Sequence, residues 1–176
     1  YLPLAVQKLI LTNNNSCHIS SINHNIKEHT QCIIRLGVEN STKQSFISCI
    51  ADLYKEFDNN YKDAAPPTIT QMKQIIIDAI DLDSFISYHN GNLLEIFSSP
   101  DDTAVNLDNY KSLIDASKLV TSMDFEKDIH VKFMSNIITS YNKFVTFLQN
   151  NAETIDHTYL WEVVTEHNLK LFCKKV

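Results

Sequence analysis

The residues best suited to metal chemistry lie within one sixteen-residue stretch near the amino terminus. They are Cys17, His18, His24, His29 and Cys32. Thiolate and imidazole are ligands that zinc prefers, but this spacing matches no zinc class, because it contains no paired C-x-x-C. We therefore expect solvated loop histidines and no bound metal. The alternative is a zinc site formed by Cys17, His24, His29 and Cys32.

The sequence carries no signature of catalysis. Two glycines in the whole chain could hardly build a phosphate-binding loop, and neither G-x-S-x-G nor H-E-x-x-H occurs. The acidic pairs Asp81/Asp83 and Asp101/Asp102 stand at predicted helix starts or turns, where capping explains them. The residues therefore predict no enzyme, no catalytic residue and no cofactor.

The composition is that of a globular chain with an acidic surface. Apolar residues make up 44% of the 176 residues and charged residues 20%, a balance typical of folded domains. The formal charge of −6 repels a phosphate backbone on average, so we expect only weak DNA contact from this chain. No apolar run approaches the roughly 18 residues that cross a bilayer, which predicts no membrane partner.

The number and spacing of the cysteines indicate the redox state of the compartment in which the protein resides. They stand at positions 17, 32, 49 and 173, which is too few and too scattered for a disulfide scaffold. Cys49 falls on a helix pattern, as a small hydrophobic residue would. A reducing compartment is therefore the expectation.

The stretch from Cys32 to Tyr54 contains the best-marked helix start. Ser41 followed by Gln44 is a capping-box pattern. Apolar residues then recur at spacings of three and four, namely Phe46, Ile50, Leu53, Tyr54 and Phe57. The pattern predicts an amphipathic helix of about four turns over 41–57.

Arg35 is the only arginine in the chain. Its neighbours on both sides are apolar, which favours a packed stem and a guanidinium paired with an acidic residue on a neighbouring helix. The alternative is contact with a phosphate or with a partner's carboxylate, since the guanidinium fork suits both.

We expect one helical domain over 1–176, with a stiff Pro66-Pro67 linker between an amino-terminal part, 1–63, and a helical part, 68–176. The chain begins without Met, so we expect a segment of a longer protein. The fold class predicted is mostly α: an irregular multi-helix domain with a loop or short-strand region near residues 17–38. A short helix is predicted at the start, built on Leu2, Val6, Leu9 and Ile10.

Besides the long helix over the apolar stripe, four helical regions are predicted after the linker. Thr68 and Gln71 form a second capping box. Residues 81–99 predict a helix, a turn and a helix, in which Gly91 takes positive φ and Asn92 caps the second helix. A helix is predicted near 106–120, and another around Trp161.

The strongest periodicity is an apolar stripe with spacings of three and four. Its members are Phe125, Ile129, Phe133, Ile137, Tyr141, Phe144 and Leu148. The stripe predicts one helix of about 25 residues with these side chains in the core.

Several short pieces, in this order, resemble a region of large proteins of nucleocytoplasmic large DNA viruses that are similar to the large subunit of the viral early transcription factor. The pieces are Tyr1 to Val6, Arg35 to Glu39, Gln44 to Asp52, Phe85 to Leu93, and Leu160 to Glu162. A coding bias towards Asn, Ile and Lys agrees with an AT-rich viral genome.

The resemblance implies a protein packaged in the virion and active in early transcription, in the virion and the host cytoplasm. Promoter DNA and viral RNA polymerase are the partners it implies for the whole protein. For this chain we expect a non-catalytic docking role among viral proteins. The interaction residues expected are Arg35, Glu39, Tyr88, Asn90 and Asn92. The alternative is a structural protein of the capsid or core.

Overall fold

The computed structural model of the chain describes residues 2–35, 37–57 and 64–165. It is mostly α-helical, which confirms the fold class predicted from the sequence. The chain forms two compact units, Tyr1–Gly37 and Val38–Val176. The division therefore differs from the one expected at Pro66-Pro67, since the helices before and after these prolines belong to the same unit and pack together.

The helices of the described residues are mostly short. The α-helices are α1 Leu4–Leu9, α2 Ser45–Phe57, α3 Ile69–Ala79, α4 Leu82–Ser87, α5 Asn92–Phe97, α6 Lys111–Asp115, α7 Asp128–Gln149 and α8 His157–Thr165. Short 3-10 helices cover Asn14–Cys17, Tyr88–Gly91, Leu107–Tyr110 and Lys118–Ser122. The helix expected near 106–120 is thus broken. The side chain of Ser117 caps a new 3-10 turn by accepting from the N–H of Leu119.

The amino-terminal unit has almost no hydrophobic core. Helix α1 buries none of its residues, and of the described residues in this unit only Asn14 and Cys17 are buried. Its exposed aliphatic side chains include Leu4, Leu9, Leu11, Ile19, Ile22, Ile33 and Ile34. An isolated antiparallel bridge joins His18 to Ile26, in the region where the sequence predicts a loop or weak strand pair.

A disulfide joins Cys17 to Cys32, with the Cα atoms 6.0 Å apart. The expectation that the scattered cysteines form no such bond was therefore wrong. The prediction of a reducing compartment rested on that expectation and loses its support. The physical reason is local: the bridge between His18 and Ile26 turns the chain back on itself. Closing a ring of this length stabilises a fold by about 3 kcal/mol in the chain-entropy account. Cys49 is a free, exposed thiol on α2, and Cys173 lies outside the described residues.

The core of the second unit consists of two clusters of buried residues, and the partly buried Tyr141 packs against both. Phe85 of α4 stacks on Phe144 of α7 with ring centroids 5.6 Å apart. Tyr141 meets the edge of Phe85 at 5.6 Å and donates its hydroxyl to the carbonyl of Ile80 at 3.1 Å. Aromatic pairs of this kind stabilise the packing of the two helices beyond the area that they bury.

The start of α2 confirms only half of the predicted capping box. The hydroxyl of Ser41 accepts from the N–H of Gln44 at 3.0 Å, and the helix begins at Ser45. The amide of Gln44 does not return to Ser41. It is buried, and its Nε2 donates to the carbonyls of Asn150 at 2.9 Å and Glu153 at 3.2 Å. The residues that α2 buries are Ile47, Ile50 and Ala51, whereas Leu53 is exposed.

Helix α3 begins with the capping box that the sequence predicts, Thr68 with Gln71. Lys73, one turn later, is 4% exposed. Its ammonium donates to Asn151 Oδ1 at 2.8 Å and to the carbonyls of Gln149 and Asn150 at 3.3 and 3.4 Å. Burial lowers the pKa of Lys73 below its usual value of 10.5. The segment after α7 is therefore held by Lys73 of α3 and by Gln44, the residue that precedes α2.

The apolar stripe on α7 is buried along only part of its length. Ile137, Phe144 and Leu148 are buried, as expected. Phe125 precedes the helix, and Ile129 and Phe133 remain 71% and 47% exposed. The prediction that Phe125 and Phe133 face the core on this helix was therefore wrong. The buried side of the first turns carries other residues, Met134 and Ile138, which pack in a cluster with Leu82 and Ile114.

This difference predicts unequal effects of truncation on the two ends of the stripe. Phe144→Ala should lower the free energy of unfolding by about 3–5 kcal/mol, because it opens a cavity in the core. Phe133→Ala is the matched control and should cost less than about 1 kcal/mol, as exposed positions do. Urea unfolding followed by circular dichroism measures both. Equal losses at the two positions would contradict this packing.

A carboxylate ties α4 to the 3-10 turn after α6. Asp83 accepts hydrogen bonds from the hydroxyl of Ser117 at 2.5 Å and from the N–H of Lys118 at 3.0 Å. Partial burial alone would raise the pKa of Asp83. The bonds from Ser117 and Lys118, with the charge of Lys118, outweigh it and lower the pKa below its usual 3.8.

The pKa of Asp83 predicts a pH dependence of stability. Because the folded-state pKa lies below 3.8, the carboxylate contributes stability above that pH and loses it as the pH falls through the folded value. Asp83→Asn should therefore be less stable than the native chain at pH 7. The gap should shrink below pH 3.8. Urea midpoints measured between pH 7 and 2.5 give the gap, with the exposed Asp101→Asn as control. A gap that stays constant to pH 2.5 would refute the linkage.

Candidate functional site

The turn between α4 and α5 has the most unusual backbone of the second unit. Three successive residues take positive φ: His89 at 54°, Asn90 at 56° and Gly91 at 88°. Glycine adopts this region freely, but for His and Asn it is sparsely populated and costs of the order of 1 kcal/mol or more each. Positive φ at Gly91 confirms the prediction. Asn92 does not cap α5, because the helix begins at Asn92 itself and Gly91 holds the cap position.

Two anchors hold this turn in place. On one side, the ring of Tyr88 is buried in the core, with 1% of its surface exposed. On the other side, a carboxylate oxygen of Glu162 on α8 accepts a hydrogen bond from the N–H of His89. Such a bond to an ionised acceptor is among the stronger ones in proteins. A strained turn persists when its surroundings determine it in this way.

The outer side of this arrangement is exposed. Asn90 presents its side chain to solvent. Trp161, the neighbour of Glu162 in sequence and the only tryptophan in the chain, is 55% exposed. Tryptophan is the residue most enriched among those that dominate protein interfaces. The bond between Glu162 and His89 joins the elements that carry Trp161 and Asn90. We take Asn90, Trp161 and the supporting Glu162 as the candidate site, which we call the turn site.

The structure separates the residues expected at an interaction surface. Tyr88 belongs to the core and is not available to a partner, whereas Asn90 and Asn92 are exposed. Glu39 accepts a hydrogen bond from the N–H of Ile69 at 2.8 Å, so its carboxylate supports the start of α3.

Arg35 lies in the amino-terminal unit and is exposed. The packed stem predicted for it was therefore wrong. The ion pairs found among residues 2–35, 37–57 and 64–165 join Lys127 to Asp124 and Lys143 to Asp102, and neither includes Arg35. Apolar neighbours in sequence did not imply burial, because Ile33 and Ile34 are themselves exposed.

Sequence reasoning did not select Trp161 or Glu162 as site residues. The signal was present in the pieces that carry the viral resemblance. Two of them, Phe85 to Leu93 and Leu160 to Glu162, meet in the structure where Glu162 binds the backbone of His89. Their separation of 73 residues hid the contact from any local pattern.

The zinc site considered as an alternative is not assembled. Cys17 and Cys32 are bonded to each other, so neither sulfur is a thiolate ligand. Nδ1 of His24 lies 3.2 Å from Nδ1 of His18, a hydrogen-bonding distance. The part of the chain that the structure describes contains no group of three or more side chains placed to hold a metal ion.

No protein-family model, curated protein or solved structure matches this chain. The fold and the turn therefore define the class of protein without a named relative. It is a mostly helical protein with a strained turn at its surface. Within the described ranges, no helix has the length and apolar character required to span a membrane.

The geometry of the turn predicts that the two glycines of the chain differ in how well they tolerate substitution by a larger residue. Gly91→Val places a β-branched residue at φ 88° and should destabilise the protein by about 1–3 kcal/mol. Gly37→Val is the matched control, since an added Cβ there meets nothing within 4 Å. Melting temperatures of the two variants test the assignment. A Gly91→Val protein that melts with the native chain would show that the left-handed turn does not form.

Proposed function

We propose that this chain is a non-catalytic docking segment of a viral early-transcription-factor-like protein that is packaged in the virion. The partner we propose is another protein of the viral transcription complex, bound at the turn site. The resemblance in sequence supports the biological setting. The observation that carries the docking role is the strained turn bound by Glu162 of α8, whose sequence neighbour Trp161 is an exposed tryptophan.

The geometry suits a docking surface for a physical reason. Binding is weakened by the entropy lost when flexible side chains and loops become ordered. Here the backbone of the turn is already fixed by the buried ring of Tyr88 and by Glu162. A partner that packs on Trp161 and hydrogen-bonds the Asn90 amide therefore meets a preorganised surface. A tryptophan anchor with a polar neighbour is typical of the residues that dominate binding energy.

Charge favours protein over DNA as the partner. Residues 38–176, which include the turn site, contain twenty acidic and twelve basic residues. Such a unit repels a phosphate backbone. A basic protein surface is the chemistry that complements it, and charge complementarity of this kind raises the rate of association.

A binding experiment tests this proposal. The chain is immobilised, and purified RNA polymerase of the encoding virus is passed over it at physiological salt. Trp161→Ala should weaken binding at least about tenfold, as loss of an interface anchor does. The matched control is Ile96→Ala, a side chain with 54% exposure against 55% for Trp161. Circular dichroism confirms that each variant is folded.

Other outcomes would redirect the interpretation. Binding to purified capsid or core proteins instead of polymerase would favour the structural role in the virion. Sub-micromolar binding of the isolated chain to early-promoter DNA at physiological salt, lost on Arg35→Ala, would overturn the docking role and favour direct promoter contact. An unchanged affinity of Trp161→Ala for the polymerase would exclude the turn site as the surface involved.

A further inference from the structure

We propose that the Cys17–Cys32 disulfide is a thiol–disulfide exchange site, and that its reduction by a dithiol unfolds the amino-terminal unit while the helical unit stays folded. The co-reactant is identified by chemical class, a small or protein-borne dithiol. This inference concerns residues 1–37 and is independent of the turn site.

The disulfide is accessible from solvent. A groove of about 390 Å³ opens beside it, lined mainly by polar side chains such as Asn13, Asn14 and Gln31. The two sulfurs differ in their surroundings, because Cys17 is 5% exposed while Cys32 is only half-buried. An attacking thiolate must reach one sulfur in line with the bond. The geometry therefore assigns Cys32 Sγ as the atom attacked.

Exchange then proceeds in two balanced steps. A thiolate of the dithiol forms a bond to Cys32 Sγ, the bond between the cysteines breaks, and Cys17 leaves as a thiolate that takes up a proton. The second thiol of the reductant, as its thiolate, attacks the reductant sulfur of this mixed disulfide and releases Cys32, which is protonated in turn. In total, two electrons and two protons pass from the dithiol to the cysteines, and the dithiol becomes a disulfide.

Apart from the disulfide, the described residues of this unit bury little apolar surface. The interactions within it are local hydrogen bonds, such as Lys27 N–H to the Cys17 carbonyl at 2.9 Å and Ile19 N–H to the Asn25 carbonyl at 3.0 Å. Helix α1 contacts the following turn through Gln7, whose Oε1 accepts from the Asn14 N–H at 2.9 Å. With only Asn14 and Cys17 buried among its described residues, the unit lacks the apolar core that keeps a crosslink-free chain folded.

The helical unit does not share this dependence. It has its own core of fully buried side chains, among them Phe85, Met72 and Phe144. Its described cysteine, Cys49, is a free thiol. Reduction therefore removes no covalent bond from the described part of that unit.

Hydrogen exchange on the full chain, read by mass spectrometry with and without dithiothreitol, tests the proposal. Reduction should accelerate exchange of the Ile19 and Lys27 amides about a hundredfold, the factor expected from opening a ring of this length. Amides of α3 and α7 should be unchanged. The double variant Cys17→Ser/Cys32→Ser should exchange like the reduced chain without any reductant. Cys49→Ser is the matched control and should behave like the native protein.

The site of attack is tested separately. Brief exposure to glutathione followed by acid quenching and peptide mapping should find glutathione on Cys32 and not on Cys17. Equal labelling of both sulfurs would overturn the assigned direction. The proposal as a whole fails if the reduced chain keeps its protection at Ile19 and Lys27, if the oxidised chain shows none there, or if dithiothreitol leaves the bond intact in the folded protein.

Discussion

The second unit depends on how the carboxyl end of α7 is satisfied. The last carbonyls of a helix have no partner within it, and a long core helix ends here among neighbouring elements. Lys73 donates to the carbonyl of Gln149, the last residue of α7. Lys73 and Gln44 both donate to the carbonyl of the C-cap, Asn150, and Gln44 also donates to that of Glu153 in the segment that follows. In the same region, the N–H of Ile155 donates a hydrogen bond to the carbonyl of Lys43 at 3.0 Å. These bonds therefore link the start of α2, helix α3 and the end of α7 at one point.

Lys73 shows the balance between two opposing effects. Removal from water disfavours its charge, which is why its pKa is lowered. Three oxygen acceptors surround the ammonium, and a cation near a helix carboxyl terminus also meets the favourable end of the helix dipole. The position is therefore an uncommon one for lysine. It places a buried ammonium where a helix end requires a donor.

Local signals in the sequence predicted local structure well. The capping box of Thr68 and Gln71 and the positive φ of Gly91 follow from hydrogen bonds and sterics within a few residues. The same logic failed for Gln44, whose amide finds acceptors 106 and 109 residues away. It failed for Phe133 as well, because periodicity shows that a helix has an apolar side and not how far the neighbouring helices cover that side.

The candidate site was harder to anticipate than the fold for the same reason. A positive φ at Gly91 can be inferred from its type and its neighbours, but the contact between His89 and Glu162 joins two segments far apart in the chain. The disulfide escaped prediction because four scattered cysteines indicate no framework, although the turn closed by the bridge between His18 and Ile26 brings two of them together. The chain thus combines an acidic helical unit with a small crosslinked unit whose three basic residues outnumber its one acid.

Amino-acid substitutions should be accepted slowly at the positions that form the turn between α4 and α5. Three successive left-handed residues admit Gly, Asn, Asp and, less readily, His, and they exclude Val, Ile and Thr. The carboxylate at position 162 binds the backbone N–H of residue 89 and not its side chain. A carboxylate is therefore favoured at position 162 whichever side chain occupies position 89. Residue types that tolerate positive φ at positions 89–91 and a carboxylate at position 162 would therefore be conserved together. This pair of features could be recognised in the sequences of related proteins.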